Sequence, residues 1–339
     1  MTTDPNPAPI LVMGAGAVGC WLGGCLQAAD LPVVFVGRPR VLAGLRTQGL
    51  TLTDLDGRDR HLPADTLSLH ETVPAGLAPA LVILAVKSGA TATAASLLAD
   101  SLPAGTPVVS MQNGLSNAAV GRAAAPRLRW LAGMVPYNVA ELGPGRYHRG
   151  TTGDLAAQDD PALRALGPAF ARAGLALRLH ADLRAVQWGK LLLNLNNPVN
   201  ALSGLPLRAQ LMNRGYRQCL AALQAEALGL LRSAGIAPAQ VGALPAHRIP
   251  PLLRLPTPLF ELIAARMLRI DPKARSSMAD DLAAGRVTEI DALCGEVVRL
   301  AQSQGRSAPV NARMVALLDA WPQRPVPIDA GALKAGLKI

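Results

Sequence analysis

The chain has 339 residues, half of them apolar, and Lys plus Arg exceed Asp plus Glu by 33 − 23 = 10. That length suits two domains of about 100–200 residues each, with enough apolar text for a sizeable core. The basic charge does not make a dedicated nucleic-acid binder, because the arginines are scattered singly through Ala- and Leu-rich stretches and only three Phe, three Tyr and four Trp could stack on bases.

The first element in chain order is the apolar run Ile10 to Met13, which leads straight into Gly14-x-Gly16-x-x-Gly19 and a helix through Leu26. In a strand–turn–helix unit Gly14 allows the tight turn, Gly16 lets backbone amides approach a pyrophosphate, and Gly19 lets the helix lie close to the strand. The helix N-terminus offers partial positive charge to the same anion. The second strand, Pro32 to Val36, ends where a site for NAD would place an acid on the ribose hydroxyl. Gly37-Arg38 stands there instead, and a guanidinium pairs with a 2′-phosphate through a forked, charge-assisted hydrogen bond, so the expected cofactor is NADPH. Arg40 either assists or is a solvated surface residue.

Three more strands follow, Ala80 to Ala85, Thr106 to Met111 and Trp130 to Val135. Ligands of open parallel sheets bind beyond the carboxyl ends of the strands. Lys87-Ser88 and Gln112-Asn113-Gly114 occupy two such endings, although either could be an ordinary exposed lysine or turn. From about residue 182 the text becomes helical, with long segments at Tyr216 to Ala234 and Glu289 to Gln304 and Pro-rich loops such as Pro245 to Pro258. The expected fold class is therefore α/β, with an N-terminal Rossmann-type parallel-sheet domain over 1–181 and an all-helical domain over 182–339.

Within the helical half, WGKLLLNLNNPVNA (188–201) sets one lysine and four asparagines in leucine-rich text. Burying an ammonium costs several kcal/mol of hydration, so such groups pair, shift their pKa or perform chemistry. Lys190, Asn194 and Asn197 fall at i, i+4 and i+7, on one helix face. Pro198 removes the backbone bond to the carbonyl of Asn194, which predicts a kink or break there. A buried polar network is the alternative to a site. Thr288-Glu289-Ile290-Asp291 reads as an N-cap followed by acidic residues that compensate the helix dipole. Pro322 to Pro327 onward reads as a loosely held tail.

The four cysteines, Cys20, Cys25, Cys219 and Cys294, lack CxxC or His-paired spacing, which predicts free thiols and no metal. No apolar stretch approaches ~18 residues, and the N-terminus has no basic region followed by an apolar run, so the expectation is a cytoplasmic protein with no membrane partner.

Taken together, GAGAVG, Arg38, VKS at Lys87, QNG at Asn113, WGKLLLNLNNPVNALSG around Lys190 and SSMADDLAAGRVTEID from Ser276 to Asp291 make the chain resemble the ketopantoate reductase (2-dehydropantoate 2-reductase) family from about Ile10 to Leu318. The resemblance implies NADPH-dependent reduction of the 2-oxo group of ketopantoate to pantoate, on the way to pantothenate and coenzyme A. It implies that Lys190 protonates the oxygen as hydride arrives and that Glu289 holds the substrate's hydroxyl end. Asn113 and Asn194 would position Lys190 and the substrate, Ser277 would bind the carboxylate, and Lys87 would sit by the cofactor. The chain departs from the best-known members in one place. Their second asparagine follows the first by four residues, whereas Asn197-Pro198 comes three after Asn194, so either the helix break shifts by one residue or Asn197 and Asn200 divide the substrate-side role. Two alternatives stand beside this reading: reduction of another branched 2-oxo acid on the same scaffold, and a non-catalytic NADPH sensor. The helical half is apolar enough for a homodimer interface, or equally for an internal bundle.

Overall fold

The computed structural model describes residues 8–265, 268, 274–323 and 325–339. The chain forms two compact units, Met1–Leu183 and Arg184–Ile339. The first contains strands β1 (Ile10–Met13), β2 (Val33–Val36), β3 (Leu50–Asp54), β4 (Asp59–Leu62), β5 (Ser68–His70), β6 (Leu81–Leu84), β7 (Pro107–Ser110), β8 (Arg129–Met134), β9 (Val139–Gly143), β10 (Arg146–Arg149), β11 (Leu155–Gln158) and β12 (Leu177–His180). Its helices are α1 (Ala17–Gln27), α2 (Pro39–Gln48), α3 (Thr91–Ser101), α4 (Asn117–Ala124) and α5 (Pro161–Arg172).

The main sheet is 8-stranded, ordered β12-β11-β8-β7-β6-β1-β2-β5. All its pairings are parallel except β8 with β11. Its central strands are buried on both faces. In β1, Ile10 and Val12 join a core that includes Cys20, Trp21 and Leu22 of α1, while Leu11 and Met13 join another that includes Ala94, Ala95 and Leu98 of α3. A strand covered on both sides has no polar face, which is why these runs are almost continuously apolar. The chain leaves β1 toward β2 on one side and returns to β6 on the other, so the connections diverge between β1 and β6, the switch point at whose carboxyl edge open parallel sheets bind ligands. A second, 4-stranded sheet, β4-β3-β10-β9, pairs β3 in parallel with β10 from much later in the chain.

The second unit holds helices and connecting loops and no strand among its described residues. It holds α6 (Arg184–Asn194), α7 (Asn196–Ser203), α8 (Leu207–Met212), α9 (Arg214–Ser233), α10 (Ile249–Arg254), α11 (Thr257–Ile263), α12 (Ser277–Ala283), α13 (Glu296–Ser303), α14 (Pro309–Asp319) and α15 (Ala330–Leu337). The long α9 is the axis, packed by α7, α8, α10, α13, α14 and α15. Its fully buried Arg217 donates to the carbonyls of Leu211, Leu253 and Leu255 and lies 4.2 Å from the Phe260 ring centre. These carbonyls close α8 and α10, so the cation sits where two helix dipoles are negative. Glu226 of α9 accepts from the amides of Val310 and Asn311 and caps α14.

Two local expectations are corrected. The C-terminal segment is docked, not loose: Asp329 caps α15, Leu333 and Leu337 are fully buried, and Tyr216 Oη donates to the Ile328 carbonyl. The helix expected to be capped by Thr288 begins instead at Ile290 and runs through a π turn, Asp291–Gly295, into α13. Asp291 pairs there with Arg299 at 2.8 Å, about two turns further on, so its carboxylate serves that ion pair. Gly295 suits this turn because a Cβ would lie 2.3 Å from Asp291 Oδ1.

Candidate active site

In the first unit the glycine turn follows β1. Gly14 has φ +111°, a left-handed value that favours glycine, and a Cβ on it would meet Val86 N at 2.7 Å. A Cβ on Gly19 would lie 2.0 Å from the carbonyl oxygen of Gly14, so close packing of α1 on β1 demands glycine. Gly16 differs from both: it is the N-cap of α1, its backbone is extended, and a Cβ there would meet nothing within 4 Å. No side chain caps α1, so its first amides face that open space, which suits a pyrophosphate.

Gly37 and Arg38 follow β2, with Arg38 exposed as the extended N-cap residue of α2. Arg40 pairs with Glu141 at 3.6 Å, which ties it to β9. Lys87 follows β6, exposed, and Asn113 follows β7, half-buried, before Gly114 at φ +91°. Because β2, β1, β6 and β7 are parallel neighbours, the first unit gathers Gly14, Gly16, Gly19, Arg38, Lys87 and Asn113 along one sheet edge.

The last two loops are joined by polar side chains, of which Ser88 and Gln112 stood out in the sequence and Ser110, Thr91 and Asn117 did not. Ser110 Oγ donates to Gln112 Oε1 at 2.7 Å, and Gln112 Nε2 donates to Val86 O and Thr91 Oγ1, each at 2.9 Å. Thr91 Oγ1 donates to Asn117 Oδ1 at 3.0 Å, Asn117 Nδ2 to Asn113 O at 2.6 Å, and Ser88 Oγ to Asn113 O at 3.0 Å. Ser110, Thr91, Gln112 and Asn117 are all buried. The one sequence signal was a cluster of small polar residues directly after two apolar strands.

In the second unit, the interruption expected around Pro198 falls at Leu195, between α6 and α7. Pro198 then occupies the first turn of α7, where its missing N–H has no consequence. Lys190, Asn194 and Asn197 are half-buried, while Trp188, Leu191, Leu192, Leu195 and Val199 around them are buried. Burial pushes the Lys190 ammonium from its ordinary 10.5 down to about 8.

Asn200 is fully buried, accepting from Ser276 N at 2.9 Å and donating to Leu205 O at 2.9 Å. Its amide is committed to holding the start of α12. Ser276 Oγ is committed likewise, accepting from Ala279 N as the α12 cap and donating to the Asn197 carbonyl at 3.3 Å. Ser277, the first residue of α12, is exposed and directly follows the serine bonded to the Asn197 carbonyl. Glu289 is half-buried just ahead of the helix that starts at Ile290.

All four cysteines are free and buried, and no group of side chains among the described residues could hold a metal ion. No helix among them is long and apolar enough to cross a membrane. Two concavities within the units, about 410 Å³ beside Ile236 and His247 and about 370 Å³ beside Arg58 and Arg172, contain none of these candidates.

Residues 10–161 match the family model described as Ketopantoate reductase PanE/ApbA, and residues 182–321 match that described as Ketopantoate reductase PanE/ApbA C terminal. The chain is 28% identical over 317 residues to a 2-dehydropantoate 2-reductase of Halobacterium salinarum, covering 89% of this chain and 94% of that one. It is also similar to the crystal structure of a PanE/ApbA family ketopantoate reductase from Ralstonia eutropha JMP134, with 28% identity, TM-score 0.78, and 93% and 99% of the two chains covered. A dimeric ketopantoate reductase from Staphylococcus aureus shares the fold at 18% identity and TM-score 0.69, covering 93% and 99%. With models matched across both units, the chain belongs to the ketopantoate reductase PanE/ApbA family.

Proposed function

We propose that this protein reduces the 2-oxo group of ketopantoate to give pantoate, with NADPH as the reductant. The observation that carries the proposal is Lys190, an ammonium brought by burial to about 8 on a helix face shared with Asn194 and Asn197. Bound NADPH supplies the hydride. Addition to a ketone makes an alkoxide, and a positioned ammonium both stabilises that charge and delivers the proton that quenches it. A pKa near 8 leaves Lys190 mostly protonated at neutral pH yet a stronger acid than an ordinary lysine.

Gly14, Gly16 and Gly19 shape the cradle in which the first amides of α1 receive the pyrophosphate, and Arg38 pairs with the 2′-phosphate. Lys87 and Asn113 lie on the cofactor side. Asn194 and Asn113 orient Lys190 and substrate without adding charge, Ser277 and Asn197 bind the carboxylate side, and Glu289 accepts the substrate's hydroxyl. Because Asn200 is committed to Ser276 and Leu205, Asn197 rather than Asn200 takes the substrate-side role. The domain assignment follows the same division of labour, with cofactor on residues 1–181 and substrate on 182–339.

We assign the reaction to the cytoplasm, a compartment in keeping with four free thiols. We also propose a homodimer through the helical unit, where Leu259, Leu262 and Ile263 of α11 are exposed. The test is a panel of 2-oxo acids assayed with NADPH and NADH by nicotinamide absorbance. Ketopantoate with NADPH is expected to give the highest kcat/KM, and a tenfold preference for another 2-oxo acid would overturn the substrate assignment.

A further inference from the structure

We propose that Thr91 and Asn117 are positioning residues that lock Lys87 and Asn113 at a fixed spacing, through one directed chain of hydrogen bonds between the loops after β6 and β7. The inference rests on the functional reading above for the importance of those two residues, and on geometry for the lock itself.

The direction of the chain is set at its ends. The Asn113 carbonyl can only accept, so the Asn117 atom at 2.6 Å from it must be the amide nitrogen. Asn117 Oδ1 then faces Thr91 and must be given a proton, so the single hydroxyl hydrogen of Thr91 points to it. With that hydrogen used, Thr91 Oγ1 can only accept from Gln112, whose nitrogen also serves the Val86 carbonyl. Gln112 Oε1 is left to accept from Ser110. Each amide therefore has one orientation, and reversing any of them sets acceptor against acceptor inside a buried environment.

The anchors of this chain explain its purpose. Val86 and Ser88, the two neighbours of Lys87, are both tied to the Gln112–Asn113 loop, through the Val86 carbonyl and the Ser88 hydroxyl. The Asn113 carbonyl accepts from two donors, Ser88 Oγ and Asn117 Nδ2, and the next residue, Gly114, is held at φ +91°. The Asn113–Gly114 peptide thus has little freedom to rotate, and the backbone from which each functional side chain projects is set before any ligand arrives. Thr91, at the start of α3, is the hinge of the chain, because its one hydroxyl accepts from Gln112 and donates to Asn117.

Thr91→Val keeps the shape and removes the hydroxyl, whereas Thr91→Ser keeps the hydroxyl. The expected result is that Thr91→Val lowers kcat for ketopantoate about tenfold, the scale of a small misplacement of reacting groups, with KM for NADPH within about threefold of wild type. Thr91→Ser is expected to restore kcat to within about threefold. Amide hydrogen exchange over residues 111–117, measured by mass spectrometry on the intact protein, is expected to accelerate at least about tenfold in Thr91→Val and not in Thr91→Ser. Asn117→Asp, which keeps the acceptor for Thr91 but loses the donor to Asn113, serves if Thr91→Val does not fold and is expected to show the same pair of effects. Unchanged exchange in both variants, or equal impairment of Thr91→Val and Thr91→Ser, would overturn the inference. Faster exchange in a protein whose wild type does not reduce ketopantoate would uphold the lock and overturn the functional reading instead.

Discussion

Raising the pH above neutrality should switch off turnover by deprotonating Lys190, and the position of that transition follows from its burial. An ordinary lysine at 10.5 stays about 97% protonated at pH 9, whereas one held at about 8 falls from roughly 90% protonated at pH 7 to roughly 10% at pH 9. If the ammonium is the proton donor, kcat/KM for ketopantoate reduction drops about tenfold across that interval and then about tenfold per further pH unit. The assay is initial-rate NADPH oxidation in a constant-ionic-strength buffer series. Lys190→Ala should lower kcat by more than about 100-fold while NADPH still binds. Lys190→Arg, whose cation does not titrate in this range, should retain a trace of activity with no alkaline limb. A profile that is flat to pH 10, or a limb that persists in Lys190→Arg, would refute the role given to Lys190.

The remaining predictions concern stability and the cofactor. Folding lowers the Lys190 pKa, so between about 8 and 10.5 the unfolded chain binds more protons and stability rises with pH. Lys190→Met should therefore stabilise the fold by on the order of 2–3 kcal/mol near neutral pH, with the gain fading as pH rises through that window; a pH-independent difference in denaturant melts would contradict it. Arg38→Asp should reverse the preference toward NADH, weakening NADPH by roughly 10- to 100-fold in titrations, as expected for losing a forked pair to phosphate; retained preference would mean that another residue reads the phosphate. Gly16→Ala should fold with an unchanged Tm and bind NADPH at least about tenfold more weakly, because its Cβ would fill open space at the helix start. Gly19→Ala should lose Tm by several degrees, because its Cβ would meet a backbone oxygen at 2.0 Å; equal Tm values for the two variants would undo that distinction.

The parts of the fold legible in the sequence were those whose cause is local. β1, β2, β6, β7 and β8 stand out as runs buried on both faces, and the glycine turn announces itself because each glycine answers a different short-range demand. The second sheet was not legible. β4 reads DRHL and is mostly exposed, and β3 finds its parallel partner in β10, a pairing that no local pattern encodes. The C-terminal tail misled through its prolines, although Asp329 and the spacing of Leu333 and Leu337 describe a capped, buried helix. Among site residues, Lys190 declared itself as a charge in leucine text. The Thr91–Asn117 lock did not, because its members come from two separate stretches, 86–91 and 110–117, and acquire meaning only when adjacent parallel strands bring their ends together. Asn197 and Asn200 were indistinguishable as letters, and only the bond from Ser276 to Asn200 assigns that asparagine to the scaffold.

The most direct test of the account is a single turnover: enzyme saturated with NADPH is mixed rapidly with ketopantoate, and nicotinamide absorbance and pantoate are followed together, in wild type and Lys190→Ala. The account predicts one pantoate formed per NADPH consumed in wild type, and at least about 100-fold slower absorbance loss in Lys190→Ala with the cofactor still bound. Equal rates in the two proteins would contradict it.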